Sequence, residues 1–240
     1  MTASAVLAKA QHENFPVALR ILPRMLRRRL ETIYGFARLV DDIGDEYTGD
    51  RNAALDNLEA DLHRAFAGNA QHPLLRRITP FVRETGATEE PFMRLIEANR
   101  LDQRKARYET WDELAHYCTL SANPVGELVL LAIGQATPER IRWSDDVCTA
   151  LQVAEHMQDV DEDRARGRDY LPDGDLVARG RGLLASGVPL VGSLRGWGKL
   201  AVAGYVGGGL AAFEALERGD RIASGRERLA QTLRVLRAAH

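Results

Sequence analysis

The chain has 240 residues, of which 45 % are hydrophobic and 28 % charged, and its formal net charge is -2. This composition is typical of a globular protein with a sizeable core, and it excludes a disordered chain. The nearly neutral charge gives no reason to expect a nucleic-acid partner. The two cysteines, which form no CxxC pair, exclude that type of zinc or redox motif and are typical of reduced thiols in a cytoplasmic protein.

Helical periodicity dominates the first two thirds of the chain. Residues 1–16 lack the apolar core of a signal peptide and predict a short helix or tail. An apolar stripe then predicts a long helix from Pro23 to about Glu46. Further helices are predicted over Arg51–Ala67, His72–Gly86, Pro91–Gln103, Thr110–Ile133 and Ser144–Ala165. Ser144 is expected to cap the last of these, because acidic residues follow it directly.

The sequence changes character after Asp173-Gly174-Asp175, which signal a turn. Residues 178–198 are rich in glycine and show a weak helical pattern. Helices are predicted again over Leu200–Glu217 and from Gly225 onward. The first of these is the most apolar stretch, but it is short for a membrane span, so a buried core helix is favoured over a helix lying on a membrane. No linker is evident, and we expect a single domain over residues 1–240.

Two carboxylates, Asp41 and Asp45, are four residues apart on the first long helix, beside its apolar stripe. Side chains at i and i+4 share a helix face. Magnesium takes oxygen ligands from one or two carboxylates together with phosphate oxygens of a substrate. Arg38, one turn earlier, carries a guanidinium fork suited to phosphate. The pattern predicts a magnesium–phosphate site; the alternative is an ordinary acidic helix end, a position that the helix dipole disfavours for carboxylates.

A later helix repeats this arrangement. Gln152, Glu155, Asp159 and Asp163 fall on one face beside an apolar one, and arginines follow at once, among them Arg168. The alternative is a surface helix whose acids pair with its own arginines. The repetition favours two metal-binding walls that face each other across a bundle. A magnesium-bridged diphosphate would fit between such walls, with an apolar pocket below for an isoprenoid tail.

Five segments carry a resemblance to a known family. They are His12–Val17, Ile33–Arg38, Asp41–Glu46, Ser121–Gly126 and Gln158–Pro172. In this order they resemble the squalene/phytoene synthase family, the trans-isoprenyl diphosphate head-to-head synthases, and most of all its hydroxysqualene synthase branch of hopanoid biosynthesis. The resemblance implies an all-α isoprenoid-synthase helical bundle with a central apolar cavity.

The resemblance also implies roles for individual residues. Those expected to bind Mg²⁺ and diphosphate are Asp41, Asp45, Asp159 and Asp163, together with Glu155, where the family usually has asparagine. Substrate and phosphate oxygens are expected to contact Arg38, Asn123, Gln152 and Arg168. The tyrosines expected near the reacting carbons are Tyr34, Tyr117 and Tyr170.

The implied reaction converts presqualene diphosphate to hydroxysqualene. Positive charge assists departure of the diphosphate, a carbocation rearranges in a dry, tyrosine-lined cavity, and water captures it. Alternatives are synthesis of presqualene diphosphate or phytoene, a non-catalytic homologue that binds prenyl diphosphates or scaffolds a neighbouring hopanoid-pathway enzyme, and a plain helical interaction protein. We expect a cytoplasmic location, with peripheral membrane contact through the basic tail, residues 221–237.

Several features allow an alternative interpretation or depart from the family pattern. The stretch 173–200 looks shorter by one helix, which would open a cavity wall. Asn123 precedes Pro124, so a capping role at a helix kink competes with a ligand role. His156 is interpreted as structural, because it does not share the helix face of Asp159. Gly204 and Gly207–Gly209 are interpreted as sites of close helix packing.

Overall fold

The structure is a computed structural model that describes residues 22–239, so the segment His12–Val17 and the N-terminal tail lie outside the described residues. Within that range the chain forms helices and no β-strand; Arg107 and Asp169 form an isolated bridge. The predicted all-α class is confirmed. The α-helices are α1 Arg24–Asp41, α2 Arg51–Ala67, α3 Ile78–Thr85, α4 Glu90–Asp102, α5 Trp111–Ser121, α6 Asn123–Ala132, α7 Pro138–Gln158, α8 Val160–Ala165, α9 Leu176–Ser193, α10 Gly196–Glu217 and α11 Gly225–Ala238. A π-helical turn, Asp42–Glu46, extends α1, and a 3₁₀ turn, Leu75–Arg77, precedes α3.

The described residues divide into two compact units. The first contains the chain up to Arg104 together with Glu127–Gln135, and the second contains Lys105–Gly126 and the chain from Ala136 onward. The expectation of a single domain stays a prediction, as does the central apolar cavity.

The first unit has an aromatic core around Phe92 of α4. Phe36 of α1 meets its ring edge-on at a centroid distance of 5.1 Å, and Phe66 and Phe81 pack against it at 5.9 and 6.2 Å. Burial of each such ring contributes about 1.5–3 kcal/mol. The core fixes α1 against α4 and so places the acidic C-terminal end of α1 beside α4.

The second unit is built by close packing at glycines. A methyl group on Gly180 of α9 would overlap the ring of Phe213 on α10, and one on Gly207 of α10 would overlap the backbone of Thr232 on α11. A methyl group on Gly209 would likewise lie only 2.8 Å from Leu151, so this glycine is also closely packed. Close helix packing is thus confirmed at Gly207 and Gly209, whereas Gly204 and Gly208 have open space around them.

Two predicted helices have different bounds in the structure. The one predicted over 110–133 breaks at Ala122, between α5 and α6. The one predicted from Ser144 begins earlier, at Pro138, where the side chain of Thr137 accepts from the backbone N–H of Arg140 (3.2 Å). The N-cap assignment of Ser144 was therefore wrong: this residue is buried within α7. Proline in the first turn after a threonine is the stronger start signal.

The glycine-rich stretch after residue 178 is helical, against its weak pattern. Helix α9 occupies most of it, with Asp175 as a cap that accepts from the Ala178 N–H (2.9 Å) and with Pro189 inside the helix. The small residues serve contacts with α7 and α10 rather than flexibility. That the stretch is shortened relative to the family stays a prediction.

Helix α10 is the single helix among residues 22–239 that is long and apolar enough to cross a membrane by length and composition. In its most apolar stretch of 18 residues, 44 % is buried within the structure. Core helices of globular proteins satisfy the same criteria. Its contacts with α7, α9 and α11 favour the core-helix interpretation.

Candidate active site

The first acidic segment lies where α1 changes into the π-helical turn. Asp41 is the last α-helical residue and is exposed, Asp42 is buried, and Asp45 is half-buried within the turn. Such π-turns are rare and occur frequently at functional sites. Asp41 and Asp45 thus both lie in helical backbone, as predicted, but the hydrogen-bonding pattern of the helix changes between them.

Two amide side chains of the α4 segment hold this turn. Asn99 Nδ2 donates to Asp41 Oδ1 (3.2 Å), and Gln103 Nε2 donates to the carbonyl oxygens of Gly44 and Asn99, at 3.1 Å each. Asn99 lies so close to Gly44 that a methyl group there would overlap the Asn99 side chain. Gly44 is therefore required by close approach, and the amides fix both the backbone of the turn and the Asp41 carboxylate. Sequence reasoning missed Asn99 and Gln103, since neither belongs to a motif.

Arg38 is bound within the same segment. Its Nε donates to Asp42 Oδ1 (2.9 Å) and its terminal nitrogen to Glu46 Oε1 (3.2 Å). Arg51 donates to the carbonyl of Asp45 (2.9 Å) and so holds the end of the turn. A phosphate group at Arg38 would share or replace these carboxylate contacts, and the phosphate role of this residue stays a prediction.

The second acidic segment spans a helix break. Helix α7 ends at Gln158, and Asp159 has φ -101° and ψ 13° before α8 begins. The Asp163 N–H still donates to the Asp159 carbonyl (2.9 Å), so the two carboxylates remain one turn apart. Desolvation raises the pKa of Asp159, and the negative charges of Glu162 and Asp163 raise it further. Negative charge is thus concentrated at this turn.

His156 connects the second acidic segment to its own helix. The ring of His156 is buried. Its Nε2 atom lies 3.1 Å from Gln152 Nε2, and its Nδ1 atom lies 3.2 Å from Asp163 Oδ2. The ring therefore holds the Asp163 carboxylate. This contact was not predicted from the sequence, because only a helix face shared with Asp159 was considered for His156. The signal that could have found this contact is the i, i+7 spacing of His156 and Asp163, which places both side chains on one stripe of the helix.

An aromatic cluster surrounds His156. Its ring stacks on Tyr170 with a centroid distance of 4.0 Å and an interplanar angle of 16°. Tyr117 lies 5.2 Å from Tyr170, so the structure brings two of the predicted tyrosines together, both buried. Tyr108 joins them at 5.2 Å from Tyr117 and 5.5 Å from Tyr170. The third predicted tyrosine, Tyr34, lies buried on α1 in the first unit.

The segment that carries Tyr170 is held by backbone hydrogen bonds. The Tyr108 N–H donates to the Asp169 carbonyl (3.0 Å), and the Asp169 N–H donates to Ala106 (2.7 Å). Gly167 supplies the positive φ of 79° that the reversal after α8 needs. Arg168 follows it, half-buried, with its N–H bound to the Asp163 carbonyl (2.9 Å). The arrangement thus ties Arg168 to the same turn as the carboxylates.

Two other predicted residues have different surroundings. Glu155 is exposed one turn before Asp159, and its carbonyl accepts the Asp159 N–H (2.9 Å). Asn123 is buried and bonded to Thr149 Oγ1 (3.0 Å). With its amide nitrogen turned inward it also donates to the carbonyls of Cys118 (3.3 Å) and Asp145 (3.2 Å). These contacts favour the capping role of Asn123 over the ligand role.

The donors present fit magnesium rather than a preformed metal cage. Among residues 22–239, no group of three or more histidine, cysteine, aspartate or glutamate side chains is placed to hold a metal ion. Magnesium needs only one or two carboxylates when phosphate oxygens complete its shell. The like charges that raise the pKa of Asp159 are those that a cation would neutralise. The carboxylates at Asp159 and Asp163 are therefore suitable donors for a magnesium ion that a diphosphate also binds.

Comparison with known proteins defines the class to which this helical chain with two acidic segments belongs. Residues 8–180 match the family model for squalene/phytoene synthase. The hydroxysqualene synthase of Rhodopseudomonas palustris is 38 % identical over 174 residues, which are 70 % of this chain and 58 % of that protein. The phytoene synthase of Narcissus pseudonarcissus is 32 % identical over 163 residues, or 64 % of this chain and 38 % of that protein.

A solved structure agrees over a larger part of the chain. The squalene synthase HpnC from Alicyclobacillus acidocaldarius superposes with a TM-score of 0.82 at 41 % identity, covering 91 % of this chain and 93 % of that one. A dehydrosqualene synthase shares the fold, with a TM-score of 0.75 at 20 % identity, over 98 % of this chain and 95 % of that one. The chain belongs to the squalene/phytoene synthase family. It spans 58 % of the length of the curated hydroxysqualene synthase from R. palustris.

Proposed function

We propose that this protein is a magnesium-dependent prenyl diphosphate enzyme that converts presqualene diphosphate to hydroxysqualene. The observation that carries the proposal lies in the second unit. His156 stacks on Tyr170 and bonds to Asp163, so one of the predicted diphosphate-binding carboxylates is connected to the tyrosine rings that are predicted to face the carbocation. A diphosphate held at the carboxylates would thus lie close to buried aromatic faces.

The residues of this chain have separable tasks in the proposed reaction. Bound magnesium would neutralise the diphosphate and assist its departure. Arg168 would add a guanidinium beside the departing oxygens. Tyr117 would offer a ring face, and such faces stabilise a cation within about 6 Å of the ring centroid. One face of Tyr170 is already stacked on His156, so Tyr170 would act through the other parts of its ring. His156 holds Asp163 in place and closes the cluster on one side.

The hydroxysqualene product is favoured by the similarity to hydroxysqualene synthases at 36–38 % identity. The sequence also lacks the strand–glycine-rich-turn–helix fingerprint of a dinucleotide site, which favours capture by water over reduction. Head-to-head synthesis of presqualene diphosphate or phytoene is the second candidate, supported by the similarity to phytoene synthases. A homologue that binds prenyl diphosphates without turnover is the third.

Product analysis tests the proposal. The purified chain is incubated with Mg²⁺ and, in separate reactions, with presqualene, farnesyl or geranylgeranyl diphosphate in ¹⁸O-labelled water without a reductant. We expect labelled hydroxysqualene from presqualene diphosphate alone. Presqualene diphosphate or phytoene formed from the shorter substrates would establish the second candidate. Binding of all three substrates without any product would establish the third.

A substitution pair sharpens this test. We expect Asp159→Asn to lower turnover by about 10²-fold or more, the size of effect seen when one group that stabilises transition-state charge is removed. Asp161→Asn is the matched control, because Asp161 is exposed and pairs with Arg221 at the surface. Equal activity of the two variants would contradict the role of Asp159.

Membrane contact is proposed for the outer face of α11. Leu229 and Leu233 are 60 % and 45 % exposed there, and Arg226, Arg234 and Arg237 are exposed on the same helix. Exposed leucines beside arginines suit the interface of an anionic membrane. Sedimentation with phosphatidylglycerol vesicles should fall for a Leu229→Ser/Leu233→Ser variant. We place the protein in the cytoplasm at that surface, where association with neighbouring hopanoid-pathway enzymes stays a prediction.

A further inference from the structure

A pocket of about 240 Å³ lies in the first unit, between α1 and the segment formed by the 3₁₀ turn and α3. None of its lining residues belongs to the candidate active site. The charged lining residues are Arg28, Arg29, Arg76, Arg77 and Glu84, and Phe81 forms an apolar wall. The lining of the pocket therefore carries four positively charged side chains and one negatively charged one.

The carboxylate is shared between two of the arginines. Glu84 bonds to Arg28 through Oε1 and to Arg29 Nε through Oε2, the latter at 3.1 Å. Arg29 also donates to the carbonyl of Ala132 (2.9 Å). Arg28 and Arg29 are thus each hydrogen-bonded to protein acceptors, although one carboxylate is shared between their two positive charges, and they form one side of the pocket.

The other two arginines are less well compensated. Arg76 Nε donates to the carbonyl of Ala70 (3.2 Å), which carries no charge. Arg77 Nη1 is 3.8 Å from Glu31 Oε2, too far for a hydrogen bond. Glu31 in turn is 3.8 Å from Arg27, so its charge is divided. The pocket therefore carries excess positive charge on the side of Arg76 and Arg77.

Arg77 supplies an observation that points directly to a ligand. Its Nη1 atom is buried and has no hydrogen-bond acceptor among the residues that the structure describes. A buried donor without an acceptor is costly, the more so on a charged group. An acceptor brought into the pocket by a ligand would remove that cost. Guanidinium forks bind phosphate oxygens in pairs.

We propose that this pocket binds a phosphate or diphosphate group, independently of magnesium and of the reaction proposed above. Arg76 and Arg77 would bind the anion oxygens, and Arg28 and Arg29 would complete the positive rim. The anion could belong to a free phosphate compound or to a lipid headgroup, which share this chemistry. Neither the family resemblance nor the carboxylate segments enter the inference.

Calorimetry of the full chain with inorganic pyrophosphate in EDTA tests the pocket, because chelation removes metal-dependent binding at the carboxylates. We expect one binding site that is weakened about 10- to 100-fold in Arg76→Gln/Arg77→Gln, the range expected when charge-assisted hydrogen bonds are lost. Asp159→Asn should bind pyrophosphate as the wild type does. An Arg24→Gln/Arg83→Gln variant removes the same charge from exposed positions outside the pocket and should also bind normally.

A second variant and a lipid arm complete the test. Arg77→Lys keeps the charge but loses the fork, and should weaken binding while preserving the fold, as checked by circular dichroism. Flotation with phosphatidylglycerol vesicles, in the Leu229→Ser/Leu233→Ser background, tests the headgroup. Arginine-dependent binding of pyrophosphate supports a free anion; arginine-dependent flotation alone supports a headgroup. If neither depends on Arg76 and Arg77, or if the exposed pair matters equally, the proposal is wrong.

Discussion

The two acidic segments have the same spacing of carboxylates but are held in different ways. In the first unit, Asp41 accepts a hydrogen bond from the neutral amide of Asn99, and the helix continues through the motif as a π-turn. In the second unit, Asp163 contacts the ring of His156, and the helix breaks at Asp159. The spacing of the aspartates therefore predicts the carboxylate pair but not its support.

The difference extends to the units around these segments. Polar contacts recur in the first unit, where Asp61 accepts hydrogen bonds from the backbone of Gln71 and His72, at 2.8 Å each. In the second unit, ring stacking on His156 supports the acidic segment itself, and helices approach closely at glycine, as at Gly207. Supports that differ in chemistry should fail under different perturbations, which makes the comparison testable.

Among the substitutions that test this comparison of the two units, the largest effect is expected for His156→Ala. The substitution leaves a cavity beside Tyr170 and frees the Asp163 carboxylate. We expect the free energy of unfolding to fall by about 2–4 kcal/mol. If Asp163 binds magnesium as proposed, turnover should fall by about 10- to 100-fold, the effect of losing a group that orients a metal ligand. Urea denaturation and product formation measure the two effects.

Two controls separate stacking from hydrogen bonding at this position. His156→Phe keeps a stacked ring but loses the bonds to Gln152 and Asp163, so stability should be largely kept while turnover falls. His116→Ala removes an exposed imidazole and should change stability by less than about 0.5 kcal/mol. Full turnover by His156→Phe would show that the ring, not the contact with Asp163, is what matters.

A smaller effect is expected for Gly44→Ala in the first unit. The new methyl group would overlap Asn99, and overpacking of this kind costs about 1–3 kcal/mol. An Asn99→Ala background removes the two overlapping atoms, Oδ1 and Cγ, and leaves Cβ at 3.3 Å, so most of the cost of Gly44→Ala should vanish. A double-mutant cycle followed by thermal unfolding measures this coupling.

Gly208→Ala in α10 is the matched control in the second unit. It has no atom within 4 Å of the added methyl group and should be neutral or stabilising by up to about 1 kcal/mol, since alanine loses less backbone entropy in a helix. If Gly44→Ala costs the same in both backgrounds, the amide of Asn99 is not what confines the turn.

Local signals explain which parts of the fold could be predicted from the sequence. Helix α2 has the predicted bounds, because Asp50 caps it by accepting from Ala53 (3.0 Å) and Gly68 ends it with φ 87°. Helix α9 was not recognised, because its glycines are explained only by the side chains that pack on them, such as Phe213 against Gly180. Contacts between distant segments leave no local pattern.

The same distinction applies to the candidate site. The aspartate pairs follow from helical spacing, and Tyr117 and Tyr170 from the family resemblance; the structure then places these two rings together. Asn99 was not predictable, because an amide on a neighbouring helix has neither motif nor spacing relative to Asp41. The contact of His156 with Asp163 could have been predicted from their i, i+7 spacing, but His156 was related to Asp159 instead.

The smallest effect is expected for Asp61→Asn, and it depends on pH. Burial acts to raise the pKa of Asp61, but hydrogen bonds from Gln71, His72 and Arg64 outweigh it, so the net pKa lies below the ordinary value of 3.8. A carboxylate with a lowered pKa stabilises the fold above its unfolded pKa, and this contribution is lost as the pH falls through the folded pKa. We expect Asp61→Asn to cost about 1–2 kcal/mol at neutral pH.

Urea denaturation of wild type and variant at pH 7 and pH 3 measures this dependence. The difference in unfolding free energy should be largest at pH 7 and should shrink at the lower pH, where the wild-type carboxyl group begins to be protonated. Asp173→Asn, in an exposed turn of the second unit, should show no such difference at either pH. A constant cost of Asp61→Asn at both pH values would mean that the shape of the side chain, and not its charge, holds the segment. The polar contacts of the first unit would then explain less of its difference from the second unit.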